Sequence, residues 1–243
     1  MKPQFSVIVY PKLPEPVLVE DKALEWFDGG DLNGALSRCE GEWVIIAHES
    51  CIFSRDLLHR TAALIDEFRH ADAFAPWAEH NGAVIASSAV LNLPYGISFE
   101  KDFHAGEFTP MRYAAGTSPL FSVISRRILQ RTGSFDPLLK TGIRFLDFGL
   151  RLYHAGGIIF SAPPLRVQVK EMLPAAETDL LEKELAYTLL KNLDGKNAFP
   201  YLRKHLHTLP FLLKNFRSLR RKQRNATSLS KMNAELLKQI GLG

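Results

Sequence analysis

Between Ser118 and Arg166 the chain spells out a strand, helical segments and a second strand in close succession. The apolar run Leu120 to Ile124 meets Arg126-Arg127, then Gly133-Ser134-Phe135-Asp136. An amphipathic helix is predicted over Asp147 to His154, a Gly156-Gly157 turn follows, and Ile158 to Ala162 reads as another buried strand. Runs that are apolar at every position suit a sheet covered on both faces. The same form recurs at Phe5 to Tyr10, closed by Pro11, and at Val44 to Ala47, closed by His48-Glu49-Ser50. Ala23 to Phe27 gives a further short strand, and Ala71 to Ala89 supplies two around His80-Asn81-Gly82. Helical patterns lie between them, one N-capped by Asp31, another by Ser54 with Leu57, Leu58, Ala62, Leu64 and Ile65 on one side. This alternation predicts an α/β fold with a doubly wound, mostly parallel sheet flanked by helices. Residues 90–118, rich in Gly, Pro and aromatics, read as an irregular active-site loop region.

A chain of 243 residues is long enough for one such domain, expected over 1–174, with a helical basic extension over 175–243. Cys39 and Cys51 show no metal-ligand spacing, so a reduced, cytoplasmic setting is expected. Met1-Lys2-Pro3 leads straight into a strand pattern with no leader, and no stretch approaches the ~20 apolar residues of a membrane span. The net charge of +4 is unevenly spread: residues 201–243 hold ten Lys/Arg against the single acid Glu235. Over residues 201–224, Leu and Phe alternate with Lys and Arg. That pattern predicts a basic interfacial helix on an anionic membrane surface; a helix packed on the domain and an RNA-binding tail are the alternatives. Nucleic acid is disfavoured, because the aromatics fall at helical spacing and not on a strand platform.

Several short segments carry a family resemblance. Phe5 to Pro11 is similar to a "V-S-V-I-I-P" strand, and Asp28-Gly29-Gly30 to a "V-D-D-G-S" turn. Leu32-Asn33-Gly34-Ala35-Leu36 followed by Gly41-Glu42-Trp43 resembles "A-L-N-x-G-L … G-E-Y-I". Gly133 to Asp136 and Asp147 to Ala155 resemble "G-x-F-D-E … E-D-x-D-L-x-L-R-h-x-x-A-G". Together these resemble the family-2-type, GT-A-fold nucleotide-sugar glycosyltransferases of bacterial surface-polysaccharide assembly. The resemblance implies transfer of a sugar from a nucleotide-sugar donor to a lipid-linked or oligosaccharide acceptor, at the inner face of the cytoplasmic membrane. It implies that Tyr10, Pro11, Asp28 and Gly29 hold the nucleoside, and that His48, Ser50 and Arg126 meet the diphosphate. Gly116, Thr117 and Ser118 are expected on the acceptor side. The segment between the first two strands is shorter than in the family.

Two motifs depart from the family. Where its carboxylates bind Mn2+ or Mg2+ against the donor diphosphate, this chain has Ala47-His48-Glu49-Ser50-Cys51. His48 and Glu49 are open to three readings: a metal pair, a metal-free contact with the diphosphate, or a loop left after metal binding was lost. Where the family has its "E-D" base, this chain has Arg144-Phe145, and phenylalanine takes no proton. Asp147 is then the candidate catalytic base, with Glu49 a further catalytic carboxylate; the alternative for Asp147 is a carboxylate at a helix N-terminus. His80, Glu100, Asp102, His104, Glu107 and Arg112 are weaker candidates in the irregular middle. A catalytically inactive binding or scaffold subunit is the competing reading.

Overall fold

The structure is a computed structural model that describes residues 4–12, 24–86, 88–92, 96–99, 111–171, 177–193 and 195–223. In chain order the elements are β1 (Phe5–Tyr10), β2 (Leu24–Asp28), α1 (Leu32–Arg38), β3 (Trp43–His48), α2 (Arg55–Glu67), β4 (Ala73–His80), β5 (Ala83–Ala86), β6 (Ala89–Asn92) and β7 (Gly96–Phe99). They continue with β8 (Arg112–Tyr113), β9 (Phe121–Ser125), α3 (Arg126–Thr132), α4 (Ile143–His154) and β10 (Ile159–Gln168). Then follow α5 (Thr178–Asn192), α6 (Gly195–Lys204), a 3-10 turn (Leu206–Thr208), α7 (Leu209–Lys214) and α8 (Phe216–Gln223).

The main sheet has the order β2-β1-β3-β9-β4-β10-β8, with β5 hydrogen-bonded to β4. β1, β2 and β3 are parallel, as are β4 and β10, whereas β9 runs antiparallel to both β3 and β4. Side chains alternate between two cores with the two-residue strand period. Ile8, Val44 and Ile46 face the layer of α1, α3, α4 and α5, while Val7, Val9, Ile45 and Ala47 face the layer of α2. The expected continuous apolar runs are thus buried on both faces.

Local chemistry explains the element ends. Asp31 Oδ1 accepts from Gly34 N at 3.0 Å and Ser54 Oγ from Leu57 N at 3.1 Å, as the sequence predicts for the α1 and α2 caps. Asn81 and Gly82, with φ of 50° and 80°, form the tight turn of the β4–β5 hairpin. The register of β10 against β4 shifts between Ala162 and Arg166, where Pro163 and Pro164 have no N–H to offer the ladder.

The extension expected from 175 has no core of its own. Leu185, Tyr187 and Leu189 of α5 share one apolar cluster with Phe145, Phe148 and Leu152 of α4. The basic interfacial helix expected over 201–224 is not a single helix. It is broken into the end of α6, the 3-10 turn, α7 and α8, with Pro210 in the first turn of α7. Tyr201, Leu212 and Leu219 turn inward, whereas Phe199, Leu206, Leu209, Leu213 and Phe216 are exposed. No helix among the described residues is long and apolar enough to cross a membrane.

Candidate functional site

The ends of β1, β2 and β3 bring the predicted donor residues together. Register pairs Val9 with Asp28 and Tyr10 with His48, so all three strands finish on one edge. Gly29 N donates to Val9 O at 2.8 Å, and a Cβ on Gly29 would stand 2.6 Å from Tyr10 Cβ. Only glycine fits this crossing. Asp28 Oδ1 accepts from Gly30 N at 2.8 Å, which sets the carboxylate at an exposed turn. A cis peptide joins Tyr10 to Pro11.

His48 has a defined orientation. Its Nδ1 lies 2.9 Å from Ser50 Oγ and accepts from Ser50 N at 3.2 Å. That contact assigns the proton of the neutral ring to Nε2. Burial pulls the imidazole below its ordinary pKa, against the raising influence of Glu49 and Glu171. Glu49 follows with its backbone N bonded to Tyr10 O at 2.8 Å. Ser50 itself is buried and serves His48. The cysteine next to it is no nucleophile, since burial pushes the Cys51 thiol up to about 12.

Tyr10 is the floor of this edge. Its hydroxyl donates to Pro119 O, its ring meets His48 edge-on at 5.5 Å, and it stacks on Phe145 at 6.1 Å. Arg144, in the first turn of α4, lies over the rings of Tyr10 at 5.0 Å and Phe145 at 5.3 Å. Its Nε is buried without a hydrogen-bond partner, and no carboxylate among the described residues pairs with it. Sequence reasoning missed this cation. The signal was there: a base stands where the related motif has an acid.

Three expectations are corrected. Asp147 is fully buried in mid-helix, bonded to Arg151 Nε at 2.9 Å, Lys191 Nζ at 2.7 Å and Asn192 Nδ2 at 2.8 Å. It is neither a base within reach of an acceptor nor a helix-terminal carboxylate; it neutralises buried cations. Arg126 stands at the other end of the sheet, because Trp43 pairs with Ser125 across the antiparallel β3–β9 ladder. It bonds Glu40 O at 3.1 Å, far from His48.

Gly116, Thr117 and Ser118, expected on the acceptor side, are buried. A Cβ on Gly116 would meet Leu146 Cα at 2.7 Å, so this glycine lets α4 approach the strand. Ser118 Oγ accepts from Leu120 N at 3.1 Å and its carbonyl accepts from Ser122 Oγ at 2.6 Å. Thr117 Oγ1 is buried without a partner. Of the weaker candidates, His80 Nδ1 bonds Val169 O at 3.0 Å and Arg112 sits on β8. Glu100, Asp102, His104 and Glu107 lie outside the described residues, as does the short segment expected between the first strands, 13–23.

A metal at this edge finds an incomplete donor set. His48, Glu49 and Glu171 are electrostatic neighbours, but among the described residues their ligand atoms do not converge on one coordination sphere. The remaining imidazole nitrogen carries a proton, so these residues alone do not fit a hard divalent ion.

No family model matches the sequence, and no curated protein sequence matches it. Among solved structures, GalNAc-T7 with UDP, GalNAc and Mn2+ superposes over 99% of this chain with a TM-score of 0.62 at 11% identity. The fold is of the GT-A type. This chain spans 58% of the length of that structure. The mannosyltransferase PcManGT of Pyrobaculum calidifontis, in complex with GDP-Man and Mn2+, aligns over 98% of this chain and 78% of its own, at 13% identity and a TM-score of 0.45. S. aureus TarS 1–349 in complex with UDP-GlcNAc aligns over 99% and 82%, at 16% identity and 0.49.

Proposed function

We propose that this protein is a nucleotide-sugar glycosyltransferase that holds the donor diphosphate with side-chain cations and N–H donors. The observation that carries the reading is Arg144, a cation without a carboxylate partner, set over Tyr10 at the edge where β1, β2 and β3 end. A departing nucleoside diphosphate gathers negative charge, and any fixed positive charge near it lowers the barrier. Arg144 supplies that charge, and His48 Nε2–H donates to a phosphate oxygen. Asp28 and the Tyr10-Pro11 strand end receive the nucleoside.

Glu49 also replaces Asp147 as the carboxylate able to take the acceptor proton, because it is partly exposed at the strand end. A lipid-linked or oligosaccharide acceptor of a surface polysaccharide fits the C-terminal helices. There Leu206, Leu209, Leu213 and Phe216 are exposed beside Arg203, Lys214, Arg217, Arg220 and Arg221. Near an anionic leaflet each such base adds roughly 1 kcal/mol of attraction. This reading places the protein on the inner face of the cytoplasmic membrane.

Calorimetric titration with UDP, GDP and dTDP, each with and without Mn2+, tests the donor site. Binding without metal that Arg144→Gln weakens is the expected result; absence of binding to any of them under both conditions defeats the reading. A second reading, a catalytically silent binding subunit on the same fold, is favoured by the sequestration of Asp147. Donor turnover lost in Glu49→Gln separates the two.

A further inference from the structure

Away from the strand ends, Glu182 of α5 meets two histidines from the junction of α6 and the 3-10 turn. His205 Nδ1 lies 3.3 Å and His207 Nε2 2.7 Å from the same Glu182 Oε2, and the three ligand atoms all fall within 4.8 Å of one another. We propose that Glu182, His205 and His207 form a zinc site that fastens the C-terminal helices to α5.

The donor chemistry fits. Two imidazoles and one carboxylate are a common zinc set, with water in the fourth position. A tetrahedral ion with bonds of about 2.0–2.1 Å separates its ligands by roughly 3.3–3.4 Å. The 3.3 Å His205–Glu182 separation matches that value, and the 2.7 Å His207–Glu182 contact must widen by about 0.6 Å, which rotation of the half-exposed His207 side chain supplies. The set is also held in place beforehand. The His205 ring stacks on Tyr201 at 4.1 Å and 16°, and Tyr201 is buried. The His205 backbone N donates to Tyr201 O and Leu202 O, both at 3.1 Å, and its carbonyl accepts from Thr208 Oγ1 at 2.7 Å. His207 is half exposed, with 48% of its side chain accessible, which leaves an approach for the ion and for water.

Without an ion, the two imidazoles donate N–H to one carboxylate oxygen; zinc takes the place of those protons. With one, two segments distant in sequence are tied at a single point. The site stands apart from the proposed donor edge and does not depend on that reading.

The test uses the full chain, stripped with a chelator and titrated with Zn2+ in competition with a chromophoric chelator. Wild type is expected to bind one zinc per chain, with a rise in thermal midpoint on zinc addition. His207→Ala, a change at a half-exposed position, should weaken binding at least about 100-fold, since even partners outside the ligand set are worth 10–100-fold. His48→Ala should leave it unchanged. No zinc bound at micromolar concentration, or equal binding by His207→Ala, overturns the proposal and leaves a hydrogen-bonded His–Glu–His cluster. Loss in His48→Ala instead overturns it in favour of the strand ends.

Discussion

Asp147 shows how much a single residue's role depends on its surroundings. The chain offers an acid near a familiar motif, but Arg151, Lys191 and Asn192 occupy both oxygens of a carboxylate that has no exposed surface. Removing one partner of such a buried set typically costs roughly 3–5 kcal/mol, because the cations left behind are uncompensated. Asp147→Ala should therefore lower stability by about that much in urea unfolding, with any loss of activity following the loss of fold. Arg144 behaves oppositely: its charge is unpaired, so Arg144→Gln should leave the melting midpoint nearly unchanged. It should weaken nucleoside-diphosphate binding by about 1.5–3 kcal/mol, the worth of hydrogen bonds to a charged group. Two histidines give a pH dependence. Burial lowers the pKa of both His48 and His154. Below the unfolded value of about 6.5 the unfolded chain binds protons that the folded chain refuses, so stability falls as pH drops towards the folded values. Thermal midpoints should decline from pH 7.5 to 5.5, and less steeply in His154→Gln; a flat profile would contradict the neutral assignment.

At the scale of elements, α4 is set by contacts from far along the chain. It starts at Ile143, before the Asp147 start expected from sequence, and the chain leading into it is held by Glu184 of α5, which accepts from Lys140 N at 2.6 Å and Thr141 N at 3.0 Å. Thr141 Oγ1 in turn accepts from Ile143 N at 3.2 Å. A contact supplied from so distant a position leaves no local pattern. The earlier start brings Arg144 to the donor edge and moves Asp147 into the core. The helix also needs two glycines at its crossing with residues 115–116. A Cβ on Gly149 would stand 2.4 Å from Ala115 O, and one on Gly116 would meet the α4 backbone. Gly149→Ala should cost about 1–3 kcal/mol through overpacking and should loosen the donor edge. Reduced stability together with weaker nucleotide binding would show the coupling, and unchanged values of both would refute it.

Across the whole molecule, the C-terminal helices are both part of the core and a candidate surface. Lys191 of α5 and Lys222 of α8 both pair with Asp136, at 2.8 Å and 2.7 Å. Although burial opposes its charge, these two lysines hold the Asp136 carboxyl well below the usual carboxylate range. Beside them a cavity of about 490 Å³ opens between α3 and the far end of α4, lined by Arg131, Arg151, Lys191 and Lys222. The outer side carries Leu213 at 73% exposure and Phe216 at 51%. Cosedimentation with vesicles containing anionic lipid is expected for wild type, weaker at high salt, and reduced in Leu213→Asp/Phe216→Asp. Equal pelleting with neutral vesicles would remove the electrostatic part of that proposal.

The apolar strands at 5–10, 44–47, 120–124 and 158–162, the Asp31 and Ser54 caps, the α/β plan and the Asp28-Gly29-Gly30 turn were legible in the sequence. Each depends on neighbours a few residues away: a run of apolar side chains, a short polar cap or a small residue at a crossing. By contrast, β7 and β8 lie in the stretch 90–118 expected to be irregular, and β9 runs antiparallel in a sheet expected to be mostly parallel. The fate of Asp147, the wrong-end position of Arg126, the burial of Gly116 to Ser118 and the lack of a carboxylate partner for Arg144 were decided only in three dimensions. Strand direction and long-range caps settle which charges meet partners, and a charge with a buried partner is structure while one without is available for chemistry. Glu182, His205 and His207 belong to the same class. No spacing announces them, because a helix and a turn from two parts of the chain bring their donor atoms to one point.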